Sequence, residues 1–221
     1  MQKKDIYKEK NNKYYSHIRH ELIQMVEGSG NKILDIGCGD GQTGLVLKES
    51  GKAREVVGIE LNEDAAKRAE GRLDKVIHGD VEKITLSIQP EYFDYIILGD
   101  VVEHLIDPWR MIKQLSQFLT REGFLIASIP NIGYWRVLKD LILFDKWEYQ
   151  KEGILDKGHL RFFTKKSMVE MMGEAGFEVE SIKARRSLGT KARLFNLLTL
   201  GMFRKYFESA YIIKCRKFKS G

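Results

Sequence analysis

The feature that most constrains this chain is the stretch Lys32-Ile33-Leu34-Asp35-Ile36-Gly37-Cys38-Gly39-Asp40-Gly41. Ile33, Leu34 and Ile36 form a short apolar run suited to a buried strand. Gly37, Gly39 and Gly41 break it, and a helix-compatible run over 42–50 follows. Strand, glycine turn and helix make the arrangement in which backbone approaches a ligand while a helix N-terminus faces it. Glycine suits such a turn because it lacks Cβ and tolerates positive φ. A lone Gly-x-Gly-x-Gly occurs in many tight strand-to-helix turns, but two further features sharpen this one. Asp35 stands inside the apolar run, where a carboxylate is costly unless something binds it. A second strand over 55–60 ends in Glu60, about 20 residues beyond the glycines, where doubly wound sheets place a ribose-binding carboxylate. The pattern describes a nucleoside-ligand site.

Strand-helix alternation continues from there. The reading places strands at about 32–36, 55–60, 76–78, 92–98 and 124–129. Asn62 is an N-cap for a helix over 63–73, and Pro108 starts another that runs to about Leu119. Such alternation predicts a parallel sheet with helices on both faces. Upstream, Tyr15, Ile18, Leu22, Met25 and Val26 recur at helical spacing, predicting one amphipathic helix over 13–26 that Gly28-Ser29-Gly30 stops. Pro130 opens an irregular stretch, 131–163, rich in aromatics. Long irregular insertions in compact domains are usually functional. A helix over 164–175, a strand over 177–183, a Leu-rich amphipathic segment over 192–203 and a last strand over 210–215 complete the chain.

The motifs Leu34-Asp35-Ile36-Gly37-Cys38-Gly39-Asp40-Gly41, Gly58-Ile59-Glu60, His78-Gly79-Asp80-Val81, Phe93-Asp94-Tyr95-Ile96-Ile97 and Gly123–Pro130 resemble those of the class I S-adenosylmethionine-dependent methyltransferases, over roughly residues 30–185. That resemblance implies a single α/β domain over 1–221, built on a Rossmann-like, doubly wound, seven-stranded, mostly parallel sheet with an antiparallel C-terminal hairpin. It also implies an N-terminal helix within 1–30 across the cofactor pocket and a substrate lid from 131 to 163. The cofactor is then S-adenosyl-L-methionine, leaving S-adenosyl-L-homocysteine. Its expected contacts are Asp35, Gly37, Cys38, Gly39, Glu60, Leu61, Asp80, Val81, Gly99 and Asp100. Glu60 suits the two ribose hydroxyls because an ionised carboxylate offers two acceptor oxygens. Alone, Asp80 would be read as a turn cap.

Asp100, Glu103 and His104 follow strand four at i, i+3 and i+4, which one helical turn would place on one face. Carboxylates and imidazole so gathered can hold a divalent cation. The spacing is similar to the Glu-x-x-Glu-His of metal-assisted O-methyltransferases of ubiquinone synthesis and of small-RNA 3′ ends, with His159 as a distal fourth ligand. Asp100 departs from the Glu of those families, and the preferred expectation is His104 as general base or substrate contact, with His159 beside it. Asn131, Tyr134, Trp135 and Arg161 are the expected substrate contacts. The segments 130–136 and 153–164 resemble a bacterial subgroup that tailors glycans, lipids and natural products. Asn131-x-Gly133-x-Trp135-Arg136 is also similar to a methionine-biosynthesis accessory protein of the same fold.

Composition narrows the alternatives. Charged residues at 31% and hydrophobic ones at 43% are ordinary for a globular chain. No apolar run approaches the ~20 residues of a membrane span, and the Lys-rich start lacks a signal-peptide core, so the expectation is a cytoplasmic protein. Two cysteines, Cys38 and Cys215, suggest no disulfide framework. The net charge of +6 gathers at 3–13 and 185–219, which reads as solvated surface rather than a nucleic-acid stripe. No Gly-Lys pair of a phosphate-binding loop occurs in the glycine turn. The expected acceptor is a hydroxyl on a small or glycan-like molecule. An accessory cofactor-binding protein is the second reading, and an RNA 2′-hydroxyl methyltransferase the third.

Overall fold

The computed structural model describes residues 12–185, 197 and 199–218. In chain order the elements are α1 (Asn12–Tyr15), α2 (His20–Ile23), β1 (Asn31–Ile36), α3 (Gln42–Glu49), β2 (Ala53–Glu60), α4 (Glu63–Ala69), β3 (Lys75–His78), β4 (Phe93–Gly99), α5 (Pro108–Leu115), β5 (Leu119–Pro130), α6 (Trp135–Phe144), α7 (Lys165–Glu174), β6 (Phe177–Ala184) and β7 (Ala210–Lys217). The seven strands form one sheet in the order β3-β2-β1-β4-β5-β7-β6. β1 to β5 pair in parallel, and β7 runs antiparallel to both β5 and β6. The predicted mostly parallel sheet with an antiparallel ending is what the chain forms.

Alternation along each strand divides the apolar residues between two faces. Leu34, Ile36, Ile96, Leu98 and Leu125 pack under Met111, Ile112 and Leu115 of α5 and Met168, Met171 and Met172 of α7. Ile33, Val56, Tyr95 and Ile97 meet Leu22 and Ile23 of α2 and Leu47 of α3 on the opposite face. Strand order reverses between β1 and β4, so the carboxyl ends of β1, β2 and β4 open a crevice at the switch point. Asn62 caps α4 through Oδ1, which accepts from Ala65 N–H (2.9 Å), and Asp107 caps α5 before Pro108.

Two expectations need correction. The single helix over 13–26 is two one-turn helices, α1 and α2, with Ser16–Arg19 between them in non-helical form. Tertiary hydrogen bonds take the place of the helical ones there. Asp40 N–H donates to the Tyr15 carbonyl (3.1 Å), and Arg19 N–H donates to Thr43 Oγ1 (3.2 Å). The stretch 131–163 is not irregular throughout, because α6 occupies ten of its residues, none of them buried. Half of the Leu-rich segment over 192–203, residues 192–196 and 198, lies outside the described residues.

Cys38 packs over Gly58, where a Cβ would sit 2.6 Å from its Sγ and 2.7 Å from Leu73 Cδ1. Gly58→Ala should therefore overpack this contact and destabilise the fold by about 1–3 kcal/mol. A lowered urea midpoint, partly restored by adding Cys38→Ala, is the expected result.

Candidate active site

One cavity, about 930 Å³ with its open mouth, lies at the carboxyl edge of β1, β2, β3 and β4. All ten residues expected from sequence to touch the cofactor line it: Asp35, Gly37, Cys38, Gly39, Glu60, Leu61, Asp80, Val81, Gly99 and Asp100. Its size suits a nucleoside-sized ligand.

Each carboxylate is held differently. Asp35, at the end of β1, is buried, and burial raises its carboxyl to about 7 against the opposing pull of Arg19. Glu60 closes β2 and accepts from Gly39 N–H at Oε2 (2.9 Å) and from Asn62 N–H at Oε1 (2.8 Å). Each oxygen keeps acceptor capacity for a ligand hydroxyl. Burial raises the Glu60 carboxyl even so. Asp80 accepts from Glu82 N–H (3.1 Å), so it caps its turn while lining the cavity. Cys38 is buried, which raises its thiol and leaves it protonated, a packing group rather than a nucleophile.

The N-terminal segment supplies lining residues that the sequence reading missed: Tyr14, Tyr15, His17 and Arg19. Arg19 Nη2 donates to the Gly99 carbonyl (2.7 Å) and lies 3.4 Å from Asp100 Oδ2. Its buried Nε has no hydrogen-bond partner among the described residues. One guanidinium among four acids gives a wall suited to a ligand that carries cationic groups and one carboxylate. The Tyr15 hydroxyl is pushed up to about 12 by burial and by Glu60. The resemblance pointed to the N-terminal segment across the pocket and the amphipathic pattern included Tyr15, but nothing in the sequence singled out Tyr14, His17 or Arg19.

Beyond β4 the expected helical face does not form. Asp100 adopts φ 55°, and the short 3-10 turn Val102–His104 begins after it. Asp100 accepts from Ser128 Oγ at Oδ1 (2.7 Å) and from Arg185 at Oδ2. Two guanidiniums hold its carboxyl below the usual range although burial pushes it up. Asp100 is thus bound to Ser128 of β5 and to Arg185 after β6, and it is not among the group that could hold a metal, which consists of Glu103, His104 and His159. Ligand atoms of those three lie within 4.8 Å of one another. Glu103 is buried, neither of its oxygens has a hydrogen-bond partner among the described residues, and burial raises its carboxyl well above the usual value. His159 Nε2 is 3.9 Å from Glu103 Oε1.

His104 reaches the cavity and His159 stands behind it, their rings 4.7 Å apart and edge to face. Nδ1 of His104 lies 2.8 Å from the Gly158 carbonyl, an acceptor only, so Nδ1 carries the proton and Nε2 the lone pair. Burial lowers the His104 ring to about 4. The 158–161 segment is clamped on the same turn. Leu160 and Arg161 N–H both donate to the Glu103 carbonyl (2.8 and 3.0 Å), and Arg161 donates through its side chain to the Ile106 carbonyl. Asn131 is buried, with Nδ2 donating to the Lys205 and Glu208 carbonyls, which ties the start of the 131–163 stretch to the chain before β7. Both residues hold loops together and neither lines the cavity. Tyr134 is half-buried, Trp135 is exposed, and they too stand off the cavity wall.

Comparison with known proteins agrees with this architecture. The profile of a methyltransferase domain family matches residues 7–182. An uncharacterized protein of Methanocaldococcus jannaschii is 27% identical over 79% of this chain and 76% of its own length. The ubiquinone biosynthesis O-methyltransferase of Nitrosomonas europaea is 30% identical over 50% of this chain, a match spanning only 48% of that enzyme. That of Leptothrix cholodnii is 25% identical over 90% of this chain and 84% of its own length. A SAM dependent methyltransferase structure from Archaeoglobus fulgidus superposes with a TM-score of 0.65, at 19% identity, covering 93% of this chain and 97% of the other.

If the raised Asp35 carboxyl meets a cationic group of the ligand, binding must release its proton. Affinity for S-adenosylmethionine should then rise with pH up to about 7, the value burial gives Asp35, and level off above it. Titration calorimetry across that range should show the slope, and Asp35→Asn should flatten it. The chain belongs to the methyltransferase domain family, and its cofactor is S-adenosylmethionine.

Proposed function

We propose that this chain transfers the methyl group of S-adenosylmethionine to a hydroxyl oxygen of a small-molecule or glycan-like acceptor, in the cytoplasm, as a single domain. The observation that carries the reading is His104: neutral, oriented through Nδ1 by the Gly158 carbonyl, and opening on the cavity at the β4 end. The acceptor oxygen attacks the methyl carbon, the carbon–sulfur bond breaks, and S-adenosylhomocysteine leaves as a neutral thioether. The hydroxyl proton passes to Nε2 of His104. Most of the remaining acceleration comes from alignment of the two reactants. Asp35, Glu60, Asp80 and Arg19 hold the donor. Residues 131–163 serve as the lid, anchored beside His104 through 158–161, with Tyr134 and Trp135 offered to the acceptor. The O-methyltransferase names of the curated relatives support oxygen as the acceptor atom.

A metal-assisted variant is favoured by one observation, the two unpartnered oxygens of buried Glu103 beside two imidazoles. A divalent cation there would be held by Glu103, His104 and His159 and would act as a Lewis acid on the acceptor oxygen.

His104→Ala should lower turnover by about 10²–10⁴-fold while leaving donor affinity, read by calorimetry, within a few-fold. An accessory protein would tolerate the change. Turnover unaltered by excess EDTA would remove the metal variant, whereas loss restored by Mg²⁺ would establish it.

A further inference from the structure

Arg185 follows β6, 85 residues along the chain from Asp100, and it does not line the cavity. Its guanidinium nevertheless joins three elements at the cavity wall. Nη2 donates to the Asp100 carboxylate and to Ser128 Oγ (2.7 Å), and that hydroxyl in turn donates to Asp100 Oδ1 (2.7 Å). Nε donates to Glu21 Oε1 (3.0 Å), on the helix α2 that follows Arg19. Arg185 N–H donates to the Ala210 carbonyl (3.0 Å), so the side chain springs from backbone fixed to β7. Asp100 meanwhile keeps a left-handed backbone, φ 55°, a conformation that aspartate reaches more readily than most side chains.

We infer that Arg185 is a positioning residue for the methyl donor: its fork fixes the Asp100 carboxylate in the cavity wall and, through Glu21, fixes the segment that carries Arg19. An ionised carboxylate at that point favours the cationic sulfonium of the donor over the neutral thioether of the product. Arg185 thereby acts on discrimination between the two without touching either. Lysine cannot replace it, because a single ammonium does not present two donor edges to Glu21 and Asp100.

The test compares S-adenosylmethionine and S-adenosylhomocysteine by titration calorimetry in the unsubstituted chain, Arg185→Ala, Asp100→Asn and the double variant, with thermal unfolding followed in parallel. Each single variant should weaken the donor by about tenfold or more, as expected for a lost hydrogen bond to a charged group, and the product by clearly less. The double variant should be no weaker than the worse single one, since both remove the same interaction. Losses that multiply in the double variant, or donor and product weakened alike with a lowered unfolding temperature, would overturn the assignment. Should Arg185→Ala not fold, Arg185→Lys takes its place: reduced preference for the donor supports the role, and unchanged preference refutes it.

Discussion

At Gly39 the backbone of the N-terminal segment comes so close that a Cβ would lie 2.4 Å from the Tyr15 carbonyl oxygen. The same residue has φ 59° and donates its N–H to Glu60. No other amino acid tolerates both the approach and the conformation. This contact joins the end of β1, the end of β2 and the segment before β1, and the cavity is the space they enclose. Without it Tyr14, Tyr15 and Arg19 would have no fixed place over the sheet. The broken helix at 16–19 is part of the same arrangement, since its backbone groups bond to Asp40 and Thr43 instead of to one another.

Charge is distributed at this edge by a simple rule. Acids stand at the ends of four consecutive parallel strands, where backbone turns leave them aimed at one space. Close-set carboxylates repel, and burial penalises each of them. Two arginines relieve the strain from opposite sides: Arg19 from the N-terminal segment and Arg185 from the end of β6. Asp100, which both reach, stays readily ionised, whereas Asp35, with one of them nearby, titrates near neutrality. Residual negative character is left for a cationic cofactor to neutralise.

The acceptor end is organised by backbone as well. Gly158 receives the His104 proton, and Asp156 Oδ1 accepts from Gly158 N–H (2.7 Å), so the turn that orients the imidazole is itself held. His159 is held likewise, its Nδ1 2.9 Å from the Ile154 carbonyl. Two imidazoles, each with Nδ1 against a carbonyl, stand beside buried Glu103, whose own carbonyl accepts from Leu160 and Arg161 and so ties the 131–163 stretch to the turn after β4.

The sheet and its glycine turns were legible in sequence because they rest on local patterns, apolar runs and acids at strand ends, and the ten residues that the family resemblance pointed to line one cavity. Asp35, Glu60 and Asp80 could be placed from their neighbours alone. The helix over 13–26 was misread because periodicity reports which face is apolar and says nothing about competing tertiary hydrogen bonds. Asp100 was assigned to a helical face because spacing cannot register its left-handed backbone or its side-chain bonds to Ser128 and Arg185. Asn131 and Arg161 carry the side chains of ligand-binding residues, yet loop carbonyls claim them. By itself the sequence determined the parallel sheet and the acid-lined glycine crevice, since strands and turns are set by near neighbours. Only the tertiary structure decided that Arg19 enters that crevice and that Arg185 holds Asp100 from beyond its lining, because those contacts join residues about 80 positions apart.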